Sequence, residues 1–196
     1  MDSRENSGKA PRSSSRNGLV LIAVASACLI LITAVVVSAF GQNGGGIPAG
    51  GKWVEFDSQN EMTLVKSARF ELDADNALPG SGANAKIILF CSAGKLDLSD
   101  FRPNATIAPA DHPSFWGRPQ MEVTVRVDNS HDNHSWNWVN GHFLSMDKGT
   151  TREMLGAKIF KIEVKTPQGP QIANFSPAGL NLYRVKQSCD LTPKKP

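Results

Sequence analysis

One long, uncharged apolar segment constrains this chain more than any other feature. Residues 18–40 read GLVLIAVASACLILITAVVVSAF and contain no charged side chain. The stretch from Leu19 to Phe40 spans about 33 Å as a helix, which matches the hydrocarbon core of a bilayer. The apolar region of a cleaved signal peptide is shorter, about 7–15 residues. The sequence therefore predicts a single transmembrane helix at 18–40, with cleavage near 37–39 as the alternative.

The charges that flank this segment predict its orientation. Four basic residues precede it, and no basic residue follows it until Lys52. Basic flanks are retained on the cytoplasmic side of a membrane. We therefore expect residues 1–17 to form a polar, disordered cytoplasmic tail, and the chain after residue 40 to lie outside the cytoplasm.

Changes in composition divide the rest of the chain. Residues 41–51 (GQNGGGIPAGG) contain six glycines, which predicts a flexible linker with a reach of about 18 Å. Residues 52–190 are long enough for one buried core, and residues 191–196 predict a loose C-terminus. The formal net charge is +3, of which +2 lies in residues 1–40. The predicted domain is therefore nearly neutral, which argues against a nucleic-acid partner.

Short segments of alternating polarity predict a domain built mainly of strands. Apolar and polar side chains alternate strictly in Glu122–Asp128 and Lys158–Lys165, as in half-buried strands. Ala85–Cys91 is almost entirely apolar and predicts a central strand, and Asn140-Gly141 is a strong hairpin signal. In 95–101, Leu96 and Leu98 are expected to share a face. Further strand candidates are 54–56, 63–72, 136–139, 142–145 and 171–175. Short helices are expected at 151–157 and 178–185. The pattern indicates an all-β fold, an antiparallel β-sandwich with one or two short helices.

The predicted domain contains two cysteines, Cys91 and Cys189. An even pair in an extracytoplasmic domain suggests a disulfide. The bridge would close a loop of about 100 residues and stabilise the fold by about 4–5 kcal/mol. Two unpaired buried thiols are the alternative if the predicted orientation is wrong. Cys28 is interpreted as a small apolar residue of the membrane segment.

Three stretches of the second half carry a family resemblance. They are Ile88–Leu98 (ILFCSAGKLDL), Val123–Met146 and Ala173–Cys189 (ANFSPAGLNLYRVKQSC). A strand that ends in cysteine, an Arg-x-Asp strand followed by a tryptophan strand, and a terminal Phe-x-x-x-Gly-Leu…Cys pattern resemble the VasI/TagO-like periplasmic family. Those proteins are accessory components associated with bacterial type VI secretion. The resemblance implies a bacterial periplasmic β-domain, a Cys91–Cys189 bridge and an accessory, non-catalytic role. The long apolar segment departs from that family's pattern, and it is this segment that predicts an anchor in the inner membrane.

The densest group of potential metal ligands is the stretch from Asp128 to His134, which also contains His131. Imidazole and carboxylate groups bind zinc and similar divalent ions. Their spacing here matches no established metal motif, and Asp, Asn and Ser are equally typical of a turn between strands. The chain also lacks a G-x-S-x-G nucleophile motif. The sequence therefore favours a polar loop, and it predicts neither a cofactor nor a catalytic residue.

Aromatic residues are the best candidates for a contact surface. Phe115 and Trp116 lie in the proline-rich stretch 109–119 and are expected to form an exposed contact patch. Trp136 and Trp138 are two residues apart, so in a strand they share a face. They can stack on sugar rings or fill the core, and we expect at least one of them to be buried.

These features predict a membrane-anchored, non-enzymatic accessory or interaction module of the cell envelope, with an envelope protein as its partner. One alternative is a carbohydrate- or peptidoglycan-binding module that uses the tryptophans. The other is a metal-dependent envelope enzyme that uses His131 and His134.

Overall fold

The computed structural model describes residues 45–108, 112–113 and 117–194, and a compact unit begins at Gly46. Within these ranges the chain forms eleven strands and two short helices, and all strand pairs are antiparallel. The elements are β1 (Ile47–Gly50), β2 (Trp53–Gln59), β3 (Lys66–Asp73), β4 (Lys86–Ser92), β5 (Lys95–Arg102), β6 (His112–Pro113), β7 (Pro119–Val127), β8 (Ser130–Val139), β9 (Phe143–Ser145), α1 (Lys148–Gly156), β10 (Phe160–Thr166), β11 (Gly169–Phe175) and α2 (Leu182–Cys189). The predicted all-β fold is confirmed.

The strands form one hydrogen-bonded sheet that folds over on itself. Their order is β1-β2-β3-β4-β5-β9-β8-β7-β10-β11, with β6 paired to β7. Although β5 and β11 are far apart in this order, the rings of Phe101 and Phe175 meet edge to face with centroids 6.1 Å apart. The Asp75 amide, just after β3, also donates to the Asn174 carbonyl on β11 at 2.7 Å. The sheet must therefore curve until its β11 edge lies against β3 and β5.

The core lies on the enclosed face of this sheet. Val123 and Val125 of β7 are buried, as are Phe160, Ile162 and Val164 of β10, and all five belong to one contiguous cluster. Successive side chains of a strand point to opposite faces. The sequence alternation therefore predicted correctly which side chains of these two strands are enclosed.

Strand β5 departs from its predicted alternation because it contains a bulge. Phe90 pairs with Leu98 and Cys91 pairs with Leu96, so Asp97 is an extra residue between the two pairs. A bulge of this kind moves the following residue to the other face of the strand. Leu98 is consequently 37% exposed, whereas Leu96 packs against the core. The prediction that these two leucines share a face is wrong.

Parts of the predicted linker and of the predicted loose C-terminus belong to the folded domain. Ile47–Gly50 pairs with β2 as an edge strand. Leu191 is buried, and the Lys194 amide donates to the Arg152 carbonyl of α1 at 3.0 Å. The domain is therefore longer at both ends than the predicted range 52–190.

Both helices begin with a side-chain cap, which explains where they start. Asp147 precedes α1 and accepts the Thr150 amide at 2.9 Å, and Asn181 precedes α2 and accepts the Arg184 amide at 3.2 Å. Such caps satisfy backbone donors that have no partner within the helix. The second helix begins later than the predicted 178 because Gly179 has a φ of 92°, which no helix accommodates.

The predicted transmembrane segment at 18–40 and the tail at 1–17 lie outside the described residues. Within the described ranges, neither helix is long and apolar enough to cross a membrane. The anchor, its orientation and its cleavage stay predictions.

Candidate functional site

A disulfide joins an inner strand of the sheet to the last helix. Cys91 of β4 and Cys189 of α2 are 98 residues apart in sequence, and their Cα atoms are 5.0 Å apart. Both side chains are buried. The predicted pairing is confirmed, and the alternative of two free thiols is excluded. The bridge holds α2 against β3, β4 and β5.

An ion pair holds the same helix on β2. Arg184 Nε of α2 lies 2.8 Å from Glu55 Oε2, and the Glu55 side chain is only 2% exposed. Burial, together with the neighbouring Asp57 carboxylate, raises the pKa of Glu55, and Arg184 opposes that rise. A buried carboxylate is strongly destabilising without a partner. Arg184 and the disulfide therefore fasten α2 at two separate points.

A groove beside Trp138 has the features of a small-ligand site. We call it the Trp138 groove; its volume is about 540 Å³, and it lies between the β8–β9 hairpin and the segment that follows β5. Its lining includes Trp138, His142 and Phe143 from the hairpin and Arg102 and Asn104 from the opposite side. Trp138 and Phe143 are half-buried, and His142 is exposed. Ligand sites commonly combine such aromatic walls with a few polar groups.

The hairpin turn and β5 position these side chains. Asn140 and Gly141 lie in the turn of the predicted hairpin, with positive φ values of 51° and 68° that asparagine and glycine adopt more readily than other residues. A Cβ on Gly141 would lie 3.5 Å from Trp138 Nε1, so the turn packs closely against the indole. The Arg102 guanidinium lies over the Phe143 ring, 5.2 Å from its centroid. A cation and aromatic rings are thus held in one groove.

A buried carboxylate accompanies Arg102. Asp100 Oδ2 lies 3.5 Å from Arg102 Nη2, and the Asp100 side chain is 1% exposed. Its Oδ1 atom has no hydrogen-bond partner among the described residues. Burial raises the pKa of Asp100, and the Arg102 charge partly opposes the rise. Because an incompletely satisfied buried carboxylate lowers stability, such groups are concentrated at functional sites.

The predicted metal candidates do not converge. His131 and His134 lie on β8 and not in a loop, and a separation of three residues turns their side chains to opposite faces of the strand. Asp128 occupies the turn before β8, where its Oδ1 accepts the amides of Lys158 and Ile159 at 2.9 Å. Among the described residues, no group of three or more His, Cys, Asp or Glu side chains is placed to hold a metal ion.

His134 instead belongs to the network that caps α1. Its Nδ1 atom lies 3.2 Å from Thr150 Oγ1 and 3.3 Å from Asp147 Oδ2. Asp147 also accepts the Trp136 indole N–H at 3.2 Å and the Thr150 hydroxyl at 2.6 Å. Burial by itself raises the pKa of Asp147, but the bonds from Thr150 and Trp136 and the nearby His134 ring outweigh it and lower the pKa. Because the Thr150 hydroxyl donates to the carboxylate, the histidine does not activate it as a nucleophile.

The aromatic candidates are divided between core, groove and the undescribed part of the chain. Trp136 is 1% exposed, which confirms that at least one of the two tryptophans fills the core. Trp138 lines the groove. Phe115 and Trp116 lie outside the described residues, so the contact patch predicted there stays a prediction.

Sequence reasoning missed Arg102, Asn104 and Phe143 as groove residues. The Asn-Gly turn was the signal available for Phe143, since a hairpin brings its two flanks together. Arg102 reaches the groove only because β5 pairs with β9, where Phe101 lies opposite Leu144. No local sequence pattern predicts that pairing.

No protein-family model matches this sequence, and no curated protein or solved structure matches it significantly. The structure alone therefore defines the class: a disulfide-bridged, all-β domain with a groove of mixed aromatic and polar lining.

Proposed function

We propose that this protein is a non-enzymatic interaction module of the bacterial cell envelope, anchored in the inner membrane by residues 18–40 with its β-domain in the periplasm. The observation that carries this proposal is the buried Cys91–Cys189 bridge. Disulfides form and persist outside the reducing cytoplasm. Basic residues precede the apolar segment, and none follows it until Lys52. This charge distribution also supports a position of the β-domain outside the cytoplasm.

The resemblance to the VasI/TagO-like family supports the accessory role. Two of the resembling stretches, Ile88–Leu98 and Ala173–Cys189, contain the two cysteines that the structure bridges. We also propose that the folded-over sheet is a β-sandwich, because strands distant in the sheet order face each other across one core. The module would bind a partner protein of the envelope without chemistry of its own.

Topology and thiol state test this proposal together. Alkaline phosphatase fused after Pro196 is expected to be active in bacteria, and the chain is expected to resist carbonate extraction from membranes. Alkylation of the denatured, unreduced protein is expected to modify Cys28 and to leave Cys91 and Cys189 unmodified. A variant with Cys91→Ser and Cys189→Ser is the matched control for alkylation. An inactive fusion, or alkylation at the two domain cysteines, would contradict the periplasmic placement.

The Trp138 groove favours a second candidate function, the binding of a cell-wall glycan. The half-buried indole offers an apolar plane on which a sugar ring can stack. Arg102, Asn104 and His142 line the same groove and can bond to hydroxyl, amide or carboxylate groups of a saccharide. Convergent polar groups of this kind give a ligand site its specificity.

Retention on purified peptidoglycan sacculi tests the glycan candidate. Trp138→Ala is expected to weaken retention of the detergent-solubilised full chain about tenfold, which corresponds to about 1.4 kcal/mol. Tyr183→Ala is the control, because Tyr183 is an aromatic residue outside the groove lining and is 75% exposed. Equal retention of both variants, or no retention of the wild type, would reject glycan binding and leave the protein-interaction proposal standing.

A further inference from the structure

The outer face of the sheet carries three basic side chains in a row, which we call the basic row. Arg126 of β7 pairs with His131 of β8 on one side and with Lys161 of β10 on the other. Val125 and Ile162, the neighbours of two of them in sequence, are buried in the core. Because successive side chains of a strand point to opposite faces, the basic row lies on the outer face. The Cβ atoms of directly paired residues are about 5 Å apart, so the three basic groups lie side by side.

The basic row has no counter-charge bonded to it. Among the described residues, none of its three side chains forms an ion pair. Elsewhere on the sheet the cations are paired: Glu71 of β3 lies 2.8 Å from Arg69 and also pairs with Lys86. Like charges placed directly opposite each other on a sheet lower its stability. The basic row therefore has a cost that no ion pair in the described part of the chain offsets.

A cleft lies over the basic row, and we call it the β7–β10 cleft. Its volume is about 530 Å³, and its lining includes the three basic side chains, Glu163 and Ile172. Glu163 is the next outward-facing residue of β10 after Lys161, and it pairs with Ile172 of β11. Ile172 is 45% exposed. The cleft therefore has a basic end and, one residue pair further along the strands, an end with a carboxylate and an apolar side chain.

The guanidinium at the centre of the row is held by the backbone. Arg126 Nε donates to the Asp128 carbonyl at 2.8 Å. The Asp128 carboxylate is bonded instead to the amides of Lys158 and Ile159. A guanidinium has five N–H donors, so this one bond leaves the others available to a ligand. A side chain that is already held loses less conformational freedom when the ligand binds.

We propose that the β7–β10 cleft binds the phosphate group of a phosphate monoester. Guanidinium, ammonium and imidazole groups from three strands supply N–H donors from three directions. A phosphate monoester has three terminal oxygens and nearly two negative charges, which suit such donors better than a planar carboxylate does. The organic part of the ester would lie towards Glu163 and Ile172. This site is separate from the Trp138 groove, and it requires neither glycan binding nor the proposed anchor.

Methyl NMR of the full chain in dodecyl maltoside, an uncharged detergent, tests the site at about 0.15 M salt, where distant charges are screened. The δ1 methyl group of Ile172 reports on the cleft, and that of Ile47, which is 43% exposed on β1, is the control. Glycerol phosphate is expected to shift the Ile172 resonance until it saturates and to leave the Ile47 resonance in place. An unshifted Ile172 resonance, or an equal shift with glycerol alone, overturns the inference.

A matched pair of variants separates a site from general attraction of anions. Lys161→Gln is expected to weaken binding of glycerol phosphate about tenfold, because it removes one charge-assisted contact. Its melting temperature is expected to be unchanged or higher, since a like charge beside Arg126 is removed. Lys95→Gln removes the same charge from an exposed position on β5 and is expected to leave the affinity unchanged. Equal affinities of the two variants overturn the inference.

The class of ligand is tested with two simpler anions. Dimethyl phosphate is a diester with fewer terminal oxygens, and it is expected to bind at least about tenfold more weakly than glycerol phosphate. Inorganic phosphate lacks the organic part and is expected to bind more weakly as well. A diester that binds as tightly overturns the assignment of a monoester, and inorganic phosphate that binds as tightly overturns the assignment of an ester.

Dihexanoyl phosphatidic acid carries the same monoester on a soluble lipid and distinguishes the two sources of this chemistry. If it binds more tightly than glycerol phosphate and Lys161→Gln weakens it, the site takes the headgroup of a lipid. If glycerol phosphate binds more tightly, the site takes a soluble ester. Both results support the phosphate site. Binding of the lipid alone that Lys161→Gln leaves unchanged overturns it, because the detergent micelle and not the cleft then holds the lipid.

Discussion

Gly50 and Gly179 meet backbone to backbone, and a Cβ on Gly50 would overlap the carbonyl oxygen of Gly179. Their φ values are 101° and 92°, which lie in the region that favours glycine. The Asn181 amide donates to the Ala49 carbonyl at 2.8 Å beside this contact. A glycine from the stretch predicted as linker therefore helps to hold the start of α2 against the end of β1.

Gly50→Ala is expected to lower the free energy of unfolding by about 1–3 kcal/mol more than Gly80→Ala, because the added methyl group is crowded by Gly179. Gly80 is the matched control: its φ is 75°, and a Cβ there would have no neighbour within 4 Å. Urea denaturation of the two full-length variants in detergent measures the difference. Equal losses would mean that backbone strain alone accounts for the effect at Gly50.

Local periodicity was sufficient to predict most of the strands but not their bends and boundaries. The alternation in β7 and β10 reflects which side chains are enclosed, so it is visible in the sequence. The bulge at Asp97 changes the face of Leu98 through pairing with Phe90 on β4. The role of Gly50 depends on Gly179, far along the chain. Such nonlocal contacts leave no local pattern.

The same distinction applies to the candidate site. Trp138 could be proposed from the sequence because an aromatic residue on an alternating strand is conspicuous. Arg102 reaches it only through the β5–β9 pairing. His131 and His134 looked like a cluster because they are close in sequence, but a strand separates side chains three residues apart onto opposite faces.

Loss of the disulfide is expected to destabilise the domain strongly. Combined Cys91→Ala and Cys189→Ala is expected to lower the free energy of unfolding by about 2–5 kcal/mol. The bridge holds α2, whose Val185 is fully buried in the core. Thermal unfolding of the full chain measures the change, with Cys28→Ala as the control that should leave the domain's melting temperature unchanged. A double variant as stable as the wild type would show that Arg184 and Val185 suffice to hold the helix.

Removal of the α1 cap is expected to cost more than removal of either histidine. Asp147→Ala should lower stability by about 1–2 kcal/mol, because it removes the acceptor of the Thr150 amide and the Trp136 indole. His134→Ala should cost about 1 kcal/mol, and His131→Ala less than about 0.5 kcal/mol. The order is read from chemical denaturation midpoints. A His131→Ala variant as damaged as His134→Ala would contradict the assignment of only one histidine to the network.

The Asp147 carboxylate should also make the domain sensitive to acid. The pKa of Asp147 is lowered in the folded state. The ionised side chain therefore adds to the free energy of unfolding above the unfolded-state pKa of about 3.9, and this gain is lost as pH falls through the folded-state pKa. Below about pH 4 the wild type is therefore expected to lose stability more steeply than Asp147→Ala. Parallel slopes for the two proteins in a pH series of urea melts would contradict this assignment.

Asp100 should have the opposite pH dependence. Burial raises its pKa in the folded state, so the unfolded chain ionises first, and stability falls as pH rises from about 3.9 through the folded value. Asp100→Asn is expected to be about 1–2 kcal/mol more stable than the wild type at pH 8, because it removes a buried charge whose Oδ1 has no partner among the described residues. The gain should shrink as pH falls to about 3.9 and below, because the wild-type carboxyl then becomes protonated in the unfolded chain as well as in the folded domain. Asp97→Asn, an exposed carboxylate on the same strand, is the control and should change stability little at either pH. A less stable Asp100→Asn variant at pH 8 would mean that the contact with Arg102 outweighs burial.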